Sequence, residues 1–202
     1  MKLNFPPAHD AQYRAGATIV ILACALCVPV TATAQQISIE TAAQGDLVTV
    51  TASAEMQVDP STVWHVISDY DHLAEFIPDM RSSRLIQRDG DQVLVEQTGV
   101  FGILFFQQHI EVKLAVVEFP LQRIVAHAIG GNLKELEGHY ELESLPAGTI
   151  RLSYSGRLVP DFPVPPIVGN IMVRRLLARQ FTAMVREIVR RDALAQGAPQ
   201  PR

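Results

Sequence analysis

Beyond residue 34 the chain carries His65, His72, His109, His127 and His139, the residues a metal or acid-base site would draw on first. No two of them stand at a ligand spacing such as H-x-x-x-H. Reading the hairpin turns outward places His127 opposite Lys113 and His139 opposite Ile124, so the strand histidines do not face one another, and His109 lies on the polar side of its strand. No G-x-S-x-G, P-loop or dinucleotide glycine pattern occurs, and nothing in the motifs calls for a metal or a cofactor. What remains is a set of polar side chains that alternation turns inward, Gln108, Tyr140 and Tyr154, joined by Arg174 from the C-terminal helix. They are the candidates for general acid-base work inside a pocket. A strand tyrosine also has a simpler role, filling core while its hydroxyl stays hydrogen-bonded. The enzymatic question therefore stays open, with the balance on the non-catalytic side.

The elements that must position these groups are legible as periods. From Leu47 to Met56 apolar and polar residues alternate as in a half-buried strand. Asp59-Pro60 then supplies an N-cap and a first-turn proline for a helix with Val63, Val66, Ile67 and Tyr70 on one stripe, and a short turn over His72–Ile77 ends at Pro78. Six period-two segments follow, broken at Asp89-Gly90-Asp91, Phe101-Gly102, Phe119-Pro120, Gly130-Gly131-Asn132 and Pro146-Ala147-Gly148. Such short connections require antiparallel pairing. After a proline-rich stretch the pattern turns helical from Ile167 to about Leu194. A sheet with one apolar face and one long helix to cover it must curl around that helix, and the enclosed space tends to exceed what side chains fill.

At 100° per residue, Ile167, Ile171, Ala178, Phe181, Val185 and Ile188 form the gripped stripe, flanked by Leu177 and Met184, and Arg174 falls within it. Arg174 is expected either to bond a polar ligand group or to snorkel to water at the cavity mouth. The expected pocket lining is Tyr70, Phe106, Gln108, Tyr140, Tyr154, Ile171, Arg174, Leu177 and Phe181. Arg175, Arg179, Arg186 and Arg190 make a second, basic face, suited to an anionic membrane surface or an acidic partner, or else to a solvated face paired with the protein's own carboxylates. Two apolar loops, residues 99–106 and 162–167, belong either to a gate or docking surface or to contacts with each other.

The N-terminus reads as a leader. Residues 15–30 carry no charge, follow Lys2 and Arg14, and end near Ala32-Thr33-Ala34, so cleavage by a Sec-type signal peptidase is expected after Ala34, with export to the bacterial periplasm. A retained anchor is the alternative. Both cysteines, Cys24 and Cys27, lie within that leader. Its removal takes two basic and one acidic residue and moves the net charge from −4 to about −5, an acidic balance that points away from nucleic acid. The expected organisation is a signal peptide over 1–34, a linker over 35–46, one domain over 47–195 and a disordered tail over 196–202.

The stretch from Val58 to Trp64, with Asp69-Tyr70-Asp71-His72-Leu73-Ala74-Glu75-Phe76-Ile77-Pro78, Val95-Glu96-Gln97-Thr98-Gly99 and Leu136-Glu137-Gly138-His139-Tyr140, resembles the START-like (SRPBCC) superfamily, in its polyketide cyclase and coenzyme Q binding branch. The resemblance spans about residues 47–192. It implies an α+β helix-grip fold: a curved antiparallel sheet of about seven strands, two short helices and a long C-terminal helix over a pocket. It also implies binding or transport of an apolar small molecule, whether lipid, isoprenoid quinone or polyketide-like aromatic. A cyclase or dehydratase acting in the same pocket and an envelope interaction module are the alternatives.

Overall fold

The alternation of residues 47–56 becomes strand β2 (Leu47–Met56), with Val50, Ala52, Ala54 and Met56 buried and Thr49 and Thr51 exposed. The computed structural model describes residues 36–103, 106–162 and 166–197. The expected leader lies outside the described residues. β1 (Gln36–Gln44) precedes β2, and helix α1 (Pro60–Ile67) follows it. A 3-10 turn (Tyr70–His72), α2 (Leu73–Phe76), β3 (Met80–Asp89), β4 (Gln92–Ile103), β5 (Phe106–Phe119), β6 (Arg123–Gly131), β7 (Leu133–Leu145), β8 (Thr149–Pro160) and α3 (Pro166–Gly197) complete the order.

The strands form one antiparallel sheet in the order β1-β2-β8-β7-β6-β5-β4-β3. It is the curved sheet of a helix-grip fold, with α3 as its long C-terminal helix. Eight strands are present rather than about seven, because residues 36–44, expected as a tether, pair with β2 from Gln36–Glu55 to Gln44–Leu47. The sequence signal there is Ile37 and Ile39 alternating with Ser38 and Glu40, and it fades into Thr41-Ala42-Ala43. At the other end Gln196 and Gly197 continue α3 instead of opening a tail.

Register corrects the histidine placement. A bulge between Lys113 and Leu114 sets Lys113 opposite Gly130, so His127 faces Ala115. His139 pairs with Val125 on one side and Ser155 on the other, and its Nε2 lies 2.8 Å from the Ser155 hydroxyl.

The core falls into two clusters. The larger gathers Val63, Val66, Val95, Leu152, Phe181, Val185 and Ile188 under the C-terminal half of α3. The smaller is centred on Val173, with Val48, Ile110, Leu158, Phe162, Leu176 and Leu177 around it.

Polar clasps hold the C-terminal half of α3 to the α1 region. The Asp59 carboxylate caps α1 by accepting from the Ser61 N–H at 2.7 Å, and the Asp59 N–H donates to the buried Asp192 carboxylate at 2.9 Å. Arg191 donates to Asp69 (2.8 Å) and to Glu187 (2.7 Å), and Arg190 also donates to Glu187 (2.6 Å). Hydrogen bonds from Arg190, and then from Arg191 against the opposing effect of burial, hold the Glu187 carboxyl at about 2, below its ordinary 4.5. The unfolded chain therefore takes up this proton first, so the stabilisation is present above about pH 4.5 and is lost as pH falls toward 2. Urea titrations at pH 7 and pH 2.5 should show Glu187→Gln reducing stability by about 2 kcal/mol at the higher pH and far less at the lower one, since Arg190 is largely solvated. An equal loss at both values would refute this assignment.

Candidate functional site: a cavity under the N-terminal half of the long helix

Where the second cluster thins out, the sheet and α3 enclose a cavity of about 530 Å³. Its walls are aliphatic: Val48 from β2, Ile110 and Val112 from β5, Leu136 from β7, Leu158 from β8, and Val173, Leu176 and Leu177 from α3. Alternation puts them there, since Val48, Val112, Leu136 and Leu158 belong to the same concave face as the buried core residues of their strands. Volume and lining suit a ligand of drug-like size held mainly by apolar contact.

The polar lining gathers around the α2–β3 turn and the β1–β2 turn. Asp79 adopts a left-handed backbone (φ +67°), a conformation aspartate tolerates better than most residues, and its carbonyl accepts from the Val100 N–H at 2.9 Å. Gly99 makes that approach feasible, since a Cβ there would lie 2.8 Å from the Asp79 carbonyl oxygen. From α3, Gln180 Nε2 donates to the Pro78 carbonyl (3.2 Å) and Arg179 meets the Asp79 carboxylate at 3.2 Å. Gln97 Nε2 donates to the buried Ser83 hydroxyl (3.2 Å), Thr98 and Ser82 share a hydroxyl hydrogen bond, and Asp46 stands exposed at the opposite rim.

Of the expected lining residues, Leu177 is in the wall. Phe181 is buried in the larger cluster instead. Tyr70 is buried elsewhere, donating to Glu118 Oε1 at 2.8 Å, and Gln108 donates to the His109 carbonyl. Tyr140 and Tyr154 are brought together, ring centroids 4.8 Å apart, on the concave face but outside the cavity wall. The Tyr154 ring lies over Gly156 and Gly138, whose missing Cβ atoms would stand 2.6 and 2.8 Å from its hydroxyl. Burial pushes the Tyr154 hydroxyl up to about 12 and raises Tyr140 as well, so neither serves readily as a base. The side chains of Phe106 and Ile171 lie outside the described residues, as do parts of both apolar loops.

Arg174 corrects the reading of the stripe: it is exposed, and Val173 takes the buried position. Buried or wall positions Val173, Leu177, Met184 and Ile188 recur slightly more slowly than the helix turns, so the inner stripe slides around α3 as it follows the twisted sheet. On the basic face, Arg175 and Arg186 are exposed, Arg179 pairs with Asp79, and Arg190 is held by Glu187. Among the described residues no group of three or more His, Cys, Asp and Glu is arranged to hold a metal, and no helix is long and apolar enough to cross a membrane.

A curved sheet gripping a long helix over an apolar cavity defines a helix-grip ligand-binding domain. The family model described as polyketide cyclase / dehydrase and lipid transport matches residues 56–185, and the chain belongs to that family. Three solved structures illustrate the likeness. The STAR-related lipid transfer protein of Xanthomonas axonopodis has a TM-score of 0.62 at 13% identity, over 75% of this chain and 93% of that one. Human STARD10 gives 0.62 at 13%, over 79% and 72%. The Zhui aromatase/cyclase from Streptomyces sp. R1128 gives 0.60 at 12%, over 73% and 94%. At these identities the structures share the fold alone. No curated protein matches the sequence.

Proposed function

We propose that this domain binds and carries an apolar small molecule, of the lipid, isoprenoid or polyketide-like aromatic kind, in the cavity between α3 and the sheet. The observation that carries the reading is a space of about 530 Å³ walled by Val48, Ile110, Val112, Leu136, Leu158, Val173 and Leu177. Each methylene transferred there from water contributes about 0.8 kcal/mol, so an extended apolar ligand is held with few polar contacts. Carriage is favoured over cyclase or dehydratase chemistry because the titratable groups of the described lining, Asp46 and Asp79, are both exposed at the rim. The leader-like pattern of residues 15–34 supports export to the periplasm, for which N-terminal sequencing of protein from its native host should return a chain beginning at Gln35.

Binding is tested with Nile red, a neutral apolar fluorophore. Wild-type protein should take it up, and Leu177→Trp, which extends an indole into the open space, should weaken uptake by about tenfold or more while leaving the far-UV spectrum unchanged. A wild-type protein that takes up no Nile red and yields no apolar species on organic extraction from its host's envelope would refute the carrier reading.

A further inference from the structure

The charged lining of the cavity is one-sided. The ionisable residues of its described lining are Asp46 and Asp79, with no Lys, Arg or His among them. Gln180 adds another acceptor. A carbonyl oxygen takes only donors, so the bond to Pro78 fixes Nε2 on that side, and Oε1 is left without a hydrogen-bond partner among the described residues. Gln97 meets the Ser83 hydroxyl at 3.2 Å, a partner that both donates and accepts and so fixes neither end of its amide. Of the basic residues in this part of α3, Arg174 and Arg175 are exposed and outside the wall, and Arg179 and Asp79 neutralise one another, which leaves Asp46 as the unpaired charge of the described lining.

From this we infer that the cavity selects neutral apolar molecules whose polar end is a hydrogen-bond donor, an alcohol or a phenol, over carboxylate- or phosphate-headed ligands of the same hydrocarbon body. The inference rests on the carrier reading above and specifies its ligand class. An anionic head would bring a like charge and only acceptors to Asp46 and the Gln180 carbonyl, leaving groups on both sides unpaired. A hydroxyl donates to either of them and loses little on leaving water.

The test is displacement of Nile red by 1-dodecanol, methyl dodecanoate and dodecanoate at pH 7.5, all below their aggregation concentrations. The alcohol should displace the probe most readily, the ester several-fold less, and the carboxylate at least about tenfold less. In Asp46→Asn, checked for native circular dichroism, the gap between alcohol and carboxylate should shrink to within about threefold. Asparagine keeps the size of the side chain, and the Asp79–Arg179 ion pair is left intact. An ester bound as tightly as the alcohol, a carboxylate bound as tightly as either, or a gap unchanged in Asp46→Asn overturns the inference. Failure of Nile red to bind the wild type is a different result and defeats the carrier reading itself.

Discussion

Gly131→Ala should cost about 3 kcal/mol or more in urea denaturation. Gly131 has φ +114°, and a Cβ built there would sit 2.0 Å from the Glu111 carbonyl oxygen and 2.8 Å from the Val112 Cα. Both are backbone atoms of the paired strand, so no side-chain rotation relieves the collision. Asn132 beside it closes the corner: its N–H donates to the Glu111 carbonyl (2.9 Å), its Oδ1 accepts from the Glu111 N–H (3.0 Å), and its Nδ2 donates to the His109 carbonyl (2.6 Å). One turn thereby joins β5 to the start of β7, the elements that carry the cavity residues Ile110, Val112 and Leu133. Gly130→Ala is the control. Its Cβ would meet only Lys113 side-chain atoms at 3.8 and 3.9 Å, so a change within about 0.5 kcal/mol is expected in urea denaturation. Similar stabilities for the two variants would show that the close approach at Gly131 does not hold in solution.

The contrast between these glycines marks what a sequence makes legible. Gly130-Gly131-Asn132 reads as a turn, but which glycine touches the neighbouring strand depends on the bulge at Lys113–Leu114, and nothing local announces that bulge. Elements written in local periods were legible: β2, the cap at Asp59, the hairpin at Asp89-Gly90-Asp91 and the long helix. β1 was not, because only Ile37 and Ile39 mark its inner face before the small residues begin. The site was legible as a place between sheet and helix and at Leu177. The remainder needed tertiary geometry. Angular reading of α3 assumes a straight stripe, so it chose Arg174 where the sheet's twist selects Val173. The polar wall was missed because its groups come from separate elements: Asp46 from the β1–β2 turn, Asp79 from the α2–β3 turn and Gln180 from α3. A partial signal existed at Gln97, which continues the inward alternation of the buried Val93 and Val95.

The same dependence on distant partners governs the other large effect expected here, loss of Arg88. Glu118 is 5% exposed, yet it is a carboxylate, and its oxygens accept from Arg88 Nη1 (2.6 Å), Arg88 Nη2 (3.1 Å) and the Tyr70 hydroxyl (2.8 Å). Burial and then the hydrogen bond to Glu118 raise the Tyr70 phenol far above its ordinary value, so it remains a donor at every pH the fold tolerates. Removing either member of the ion pair does not cost the same. Arg88→Ala strands a buried charge with one neutral donor and should cost about 3 kcal/mol at pH 7, near the low end for a broken buried pair because the Tyr70 contact survives. Glu118→Ala leaves a guanidinium that is already 41% exposed and can turn to water, together with an unpaired phenol, so a loss of about 1–2 kcal/mol is expected. Equal losses for the two variants in urea denaturation at pH 7 would contradict this account. Glu118 lies six residues along β5 from the cavity residue Val112, on the far side of Leu114 and Val116. Folded Arg88→Ala protein should therefore take up Nile red as the wild type does: the polar cluster secures the filled end of the grip, and the cavity occupies the other.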